Sequence, residues 1–324
     1  MRKKIRMEES PYTFVRAKVM KSLLIPRSEY KKLLGMSISE IARYLSETQY
    51  RDDINELGVD FSGLALIEQA LNRNFSRMVE KLRRISPHSY NQVIDAYLLK
   101  YDIENIKTLL RAKQAGTSED DAMKLMMPAG KLSSKQLRLI FKKNQAEILE
   151  AFEGTDAKSL TEVETNLDHY YFSSMLDFAD KVPRQGKLLK EFILNNVHTA
   201  NVLTFLRLKR LGMENKQIEK HIFFTPKYSF FYRHLLQAKS GEESQKMIRQ
   251  HFPINSFDSL TDVEISLQKY LVSHSNFEHQ NPLSVYIILE FLMAKEIELK
   301  NLKRIISAKH LGMDMSLVEP MVVA

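Results

Sequence analysis

One five-residue pattern occurs three times in this chain at a nearly constant period, and that repetition constrains the fold more than any single motif does. Ile67-Glu68-Gln69-Ala70-Leu71 returns as Val163-Glu164-Thr165-Asn166-Leu167 and as Val263-Glu264-Ile265-Ser266-Leu267. The glutamates stand 96 and 100 residues apart. Asn105, Asn201 and Asn301 each follow their glutamate by 37 residues, and Gly116, Gly212 and Gly312 each follow their asparagine by 11. Pro26, Pro128 and Pro226 punctuate the unit starts,. Boundaries near Met127 and Thr225 then divide the chain into repeat domains 1–127, 128–225 and 226–324. A unit of about 100 residues is longer than ordinary solenoid repeats, so each copy reads as a small domain. Three such domains joined without long linkers form either an open arc or a closed pseudo-threefold ring, and the sequence does not choose.

Within a unit the apolar pattern is helical throughout, and the expected fold class is all-α. In the first copy Pro87 suits a helix start, and Tyr90, Ile94, Tyr97, Tyr101, Thr108 and Ala112 form a stripe in steps of three, four or seven before Gly116,. The second copy repeats it with Phe192, Leu194, Val197, Leu208 and Leu211, the third with Ile287, Phe291, Ala294, Ile297 and Ala308. The glycine past each end suits the left-handed turn that closes a helix. Strand-like alternation bounded by turn dipeptides is absent.

Composition narrows the chemistry. There is no cysteine, which excludes disulfides, thiolate zinc sites and cysteine nucleophiles,. Gly130-Lys131 and Gly186-Lys187 lack the upstream glycine and following Ser or Thr of a phosphate loop, so nucleotide is not bound by that route,. Neither a Gly-x-Ser-x-Gly elbow nor a His-Glu-x-x-His zinc motif occurs,. His274, Glu278 and His279 approach a metal cluster, but histidines five apart face different sides of a helix,. No catalytic residue, cofactor or metal is expected. The amino terminus lacks a secretion signal, and apolar stretches such as Val285 to Leu289 are far too short to span a bilayer,.

The net charge is +8, and Met1 to Leu34 carries ten Lys or Arg against three Asp or Glu. Arg16, Lys18 and Lys21 in that segment are candidate partner contacts for an acidic protein, anionic lipid or nucleic acid, although a solvated basic face would look the same. Basic residues also crowd the long-helix ends: Lys107, Arg111 and Lys113, then Arg207, Lys209 and Arg210, then Lys303, Arg304 and Lys309. They compensate helix dipoles or form a shared basic rim, with Arg111, Arg207 and Arg304 as its candidate contacts. The repeated Asn, on the apolar stripe, is expected to lock a neighbouring helix. The repeated Glu is expected to pair with it or to start its own helix. The aromatic run Lys227 to His234 reads as core filling rather than base stacking,.

Against that background the string Tyr12 to Leu24, then Tyr30, Leu33-Leu34 and Ile41 to Tyr50, resembles the family of A/V-type ATPase C subunits and their eukaryotic relative, the vacuolar d subunit. Asp102-Ile103-Glu104-Asn105-Ile106-Lys107 resembles the family's Asp-x-x-Asn-Leu-Lys segment. Ser10-Pro11 departs from the small residues usual before the opening aromatic, and the acid of the Asp-x-x-Asn segment becomes His198 and Glu298 in the later copies. The resemblance implies a pseudo-threefold helical funnel on the cytoplasmic face of the membrane proteolipid ring, its mouth receiving the central-axle subunits. It implies one non-catalytic copy per complex, peripheral to the membrane, coupling axle to ring in ATP-driven or ATP-synthesising ion transport, without nucleotide or nucleic acid as ligand. The rival readings are a basic helical scaffold for nucleic acid, marked by steep salt dependence, and a helical enzyme whose pocket no motif locates.

Overall fold

The computed structural model describes residues 10–151, 159–183, 185–274 and 284–323. In chain order the helices are α1 (Pro11–Ser22), α2 (Arg27–Gly35), α3 (Ile38–Leu45), α4 (Arg51–Leu57), α5 (Gly63–Ile85), α6 (His88–Gln114), α7 (Glu119–Lys124), α8 (Ser134–Lys142) and α9 (Gln145–Ala151). They continue with α10 (Leu160–Lys181), α11 (Gly186–Arg210), α12 (Asn215–Glu219), α13 (Ser229–Gln237), α14 (Gly241–Arg249), α15 (Leu260–His274), α16 (Tyr286–His310) and α17 (Met315–Val318). No strand occurs among the described residues, so the fold is all-α.

Local chemistry sets many of these boundaries. Ser37 opens α3 with a reciprocal cap, its hydroxyl accepting from the Glu40 N–H while the Glu40 carboxylate accepts from the Ser37 N–H at 2.7 Å,. Ser133 and Gln136 repeat the device at α8. Gly116, Gly212 and Gly312 follow α6, α11 and α16 with φ of +71°, +75° and +66°. At each of these ends the glycine N–H and the next N–H turn back onto carbonyls of the last turn, as in Met213 to Leu208 at 3.1 Å,.

The chain divides into two compact units, one within residues 95–275 and one made from residues within 7–94 and 276–324. In the first, Ile103, Ile106 and Leu110 of α6 pack on Val163 and Leu167 of α10. Val202, Phe205 and Leu208 of α11 pack on Val263 and Leu267 of α15, with Tyr232, Leu235 and Phe252 closing the cluster. In the second, α16 packs against α5 and α1. Each fully buried apolar side chain contributes about 1.5–3 kcal/mol.

The long helices are buried on more than the one stripe read from the sequence. Tyr101, Thr108, Ala294 and Ile297 are only partly buried, while Ile103, Ile106, Leu109, Leu299 and Leu302 fill cores. Leu211 is 76% exposed, because it sits beside the left-handed Gly212, where the chain leaves the helical face. In the aromatic run Phe231 and Tyr232 are buried but Phe230 is exposed.

Candidate partner-binding surfaces

The three repeated asparagines make the same contact in each copy. Asn105 donates from Nδ2 to the Met127 carbonyl at 2.9 Å and accepts at Oδ1 from the Met127 N–H at 2.8 Å. Asn201 does the same with Phe223, at 2.9 Å both ways. Asn301 does so with Val323, at 2.5 and 3.0 Å. The partner is therefore not a neighbouring helix but irregular backbone 22 residues on. Such backbone has no ladder of its own and must find partners elsewhere.

One turn before each asparagine stands the position where Asp, His and Glu alternate, and all three side chains are buried. Asp102 accepts from the N–H groups of Lys131 (3.0 Å) and Leu132 (2.9 Å). Gly130 leaves room for this carboxylate, because a Cβ at that position would collide with it. Glu298 accepts from the Ile25 N–H and the Tyr50 hydroxyl, each at 2.5 Å, and from Lys295 Nζ at 2.7 Å. Lys295 is wholly buried, and burial pushes its pKa down against the pull of Glu298. His198 Nδ1 lies 2.6 Å from the Tyr232 hydroxyl, which itself donates to the His198 carbonyl at 2.8 Å. With the tyrosine proton committed, Nδ1 of His198 is the donor. Burial, then the nearby His251 and Lys227, push the His198 pKa down to about 3, so the ring is neutral.

The repeated glutamates pair with cations on the long helices, not with asparagine. Glu164 receives Nε and Nη2 of Arg111 at 2.6 and 2.8 Å. Glu264 receives Nη2 of Arg207 at 3.3 Å. Glu68 on α5 is in electrostatic contact with Lys303 on α16, whose ammonium donates to Asn72 Oδ1 at 2.7 Å. Each glutamate lies on a helix packed against the long helix that supplies its cation. None stands at a helix start.

Most of the basic helix-end residues are committed within the chain. Lys107 reaches Asp168 at 2.5 Å and Glu104 at 3.2 Å. Burial opposes its charge, but these two carboxylates outweigh it and the pKa is raised. Lys113 donates to the carbonyls of Phe141 (3.1 Å) and Lys143 (3.0 Å), and Arg210 to those of Phe257 and Asp258. Arg304 donates to Met321 O at 2.6 Å and Lys309 to Leu34 O at 2.7 Å. Lys209 stays exposed.

On α1 the candidates differ. Lys21 forms an ion pair with Glu290 of α16. Lys18 lies over the Phe14 ring at 5.9 Å. Arg16 is partly buried, and its Nε is shielded from solvent without a hydrogen-bond partner. The same helix exposes Tyr12, Val15 and Val19. The charges are plain in the sequence, whereas sequence reasoning passes over the apolar face between them. The steps from 12 to 15, 19 and 23 are its only signal.

Among the described residues no group of three or more His, Asp or Glu could hold a metal ion, and no helix is long and apolar enough to cross a membrane. His274 donates from Nδ1 to the Tyr270 carbonyl at 2.9 Å and lies 3.1 Å from Ser273 Oγ, while Glu278 and His279 lie outside the described residues.

Similarity to known proteins extends along nearly the whole of this arrangement. The chain matches the ATP synthase (C/AC39) subunit family over residues 14–320. It is similar to the A-type ATP synthase C subunit of Methanosarcina acetivorans, with 33% identity covering 96% of this chain and 92% of the relative. The corresponding C subunit of Methanococcoides burtonii is 32% identical, covering 95% and 93%. That of Archaeoglobus fulgidus is 29% identical, covering 95% and 94%.

Proposed function

The chain belongs to the ATP synthase (C/AC39) subunit family, and from that premise we propose that it is a non-catalytic central-stalk component of an A/V-type ATPase, a socket that couples the central axle to the membrane proteolipid ring. The observation that carries this reading is similarity along more than nine-tenths of the chain to the C subunits of A-type ATP synthases, joined to a lock repeated in all three copies. A part that transmits torque must resist deformation. Close-packed helices do so, and the paired amide bonds of Asn105, Asn201 and Asn301 tie the long helices to the segments that end their units.

In this reading the repeat domains are 1–127, 128–225 and 226–324, and the locks close at Met127, Phe223 and Val323, at or just before those boundaries. A pseudo-threefold funnel lets one chain meet a many-membered ring from the cytoplasmic side, one copy per complex, with no nucleotide or nucleic acid bound. Arg16 and Lys18 belong to the partner-facing set, whereas Lys21 is held by Glu290 within the chain. The glutamate partners of Arg111 and Arg207 and the carbonyl partner of Arg304 assign those three residues chiefly to internal bracing.

The test is charge reversal of Arg16 and Lys18 with binding to isolated ring and to isolated axle subunits measured separately. Weakened binding to one of them, with an unchanged helical spectrum and melting temperature, is the expected result. Unchanged binding to both removes the basic segment from the interface.

A further inference from the structure

Between α1 and α5 runs a groove of about 600 Å³. Its floor is apolar, made by Met20 and Leu23 from α1 and the turn after it and by Met78 and Ile85 from α5. Outside the groove lining, α1 also exposes Tyr12, Val15 and Val19, in helical register with the groove-lining Leu23; the four are 62%, 56%, 46% and 55% exposed. Positions spaced by three, four and four lie along one face of a helix. Three large apolar side chains left in water along one helix, with a fourth at its end, are the kind of patch that marks an interaction surface,.

The charges around the groove are one-sided. Arg16, Arg77, Lys81 and Arg84 line it against a single acid, Asp52. Asp52 is already held by Arg77 at 2.9 Å, and Arg77 also binds Asp53 at 2.9 Å. Among the described residues Lys81 and Arg84 have no ion pair, and Arg16 Nε has no hydrogen-bond partner. The α1 sequence itself, Pro11 to Ser22, contains no acidic residue.

We propose that this groove docks an amphipathic helix of a partner protein, its apolar face laid between α1 and α5 and its flanking acids met by Arg16, Lys81 and Arg84. The concave floor, shaped by two helices and lined by two adaptable methionines, suits a helix in a groove. A bilayer surface is flat and would leave that floor empty, and nucleic acid phosphates would find no partner on it. The rim cations supply complementarity and orientation, and the floor supplies most of the affinity. The inference goes beyond the socket reading, because it rests on this groove alone and its binding assay uses no rotor subunit.

The experiment measures fluorescence anisotropy of a labelled synthetic helix of about 18 residues, roughly 27 Å long, with leucines on one face and glutamates on its flanks. It is titrated with the full chain, with Lys81→Glu/Arg84→Glu, and with Val15→Asp/Val19→Asp. All four substituted side chains reach solvent, and unchanged melting temperatures show that both variants fold. Saturable binding is expected, weakened about tenfold or more by either variant, with a lysine-flanked version of the peptide preferring the charge-reversed protein. In parallel the chain is sedimented with phosphatidylglycerol vesicles. No saturable binding, or equal affinity for all three proteins, overturns the proposal. Vesicle binding that the variants abolish, without peptide binding, overturns it in favour of a lipid surface. Absence of peptide binding in a chain that still assembles with axle subunits removes the groove inference and leaves the socket reading standing.

Discussion

Asn301 is 1% exposed and binds the Val323 backbone with both ends of its amide. Asn301→Ala leaves a buried N–H and a buried carbonyl without partners, which costs roughly 2–5 kcal/mol. Urea denaturation should show that loss, and a change under about 1 kcal/mol would mean that water replaces the amide. The asparagines stand out in the sequence as a fixed offset. Their partners do not, because Met127, Phe223 and Val323 contribute backbone, which leaves no mark on residue type. The Lys295–Glu298–Tyr50 cluster is illegible for a different reason: Tyr50 stands 245 residues before Lys295 and 248 before Glu298, and only folding brings them together. Lys295→Met strands the buried Glu298 carboxylate and should cost about 3–5 kcal/mol, whereas Lys295→Met/Glu298→Leu should recover part of that loss in the same denaturation assay. His198 gives a pH dependence. Its folded pKa, about 3, lies below the ordinary value near 6.5, so between those values the unfolded state binds more protons,. Its contribution is therefore fully present above about pH 6.5 and is lost as pH falls toward about 3,. His169, His221 and His251 are shifted in the same direction by burial. The melting temperature should fall from about pH 7 to about pH 5, and His198→Gln should flatten the slope. An unchanged slope would assign the acid lability to other groups.

At the scale of elements, the long helices and their stops are readable because they follow local rules. A Cβ added to Gly212 would meet no other atom, so Gly212→Ala tests backbone conformation alone. At φ of +75° it should cost about 1–2 kcal/mol, with Gly212→Asn milder,. Calorimetry decides, and equal stability of all three would show that the turn tolerates a different backbone. Helix faces are less readable. The stripe on α11 runs on to Leu211 in the sequence because a period of 3.6 residues carries no signal of where the chain leaves the helix. The Glu-to-Arg pairing has a usable signal, since Arg111 and Arg207 stand at the same offset after Asn105 and Asn201. The third copy breaks it with Ser307 and uses Lys303. On α1 the exposed Tyr12, Val15 and Val19 follow a helical period as good as any core stripe. Periodicity says which residues share a face, and only packing says whether that face is covered.

For the molecule as a whole, one step recurs three times: a helix bearing the repeated glutamate lies on a long helix bearing the repeated asparagine, or on the long helix of the same set. α10 lies on α6, α15 on α11, and α5 on α16. The third of these joins segments from opposite ends of the sequence, supported by Lys21 with Glu290 and by Ile25 with Glu298. A chain whose distant segments brace each other is suited to bearing load, which is the mechanical content of the socket reading. The most direct test mixes the purified chain with the isolated central-axle subunits of its host's rotary ATPase and follows them by size exclusion at low and at moderate salt. A stable one-to-one assembly at both is the result expected of a socket. A chain that elutes alone under both conditions contradicts it.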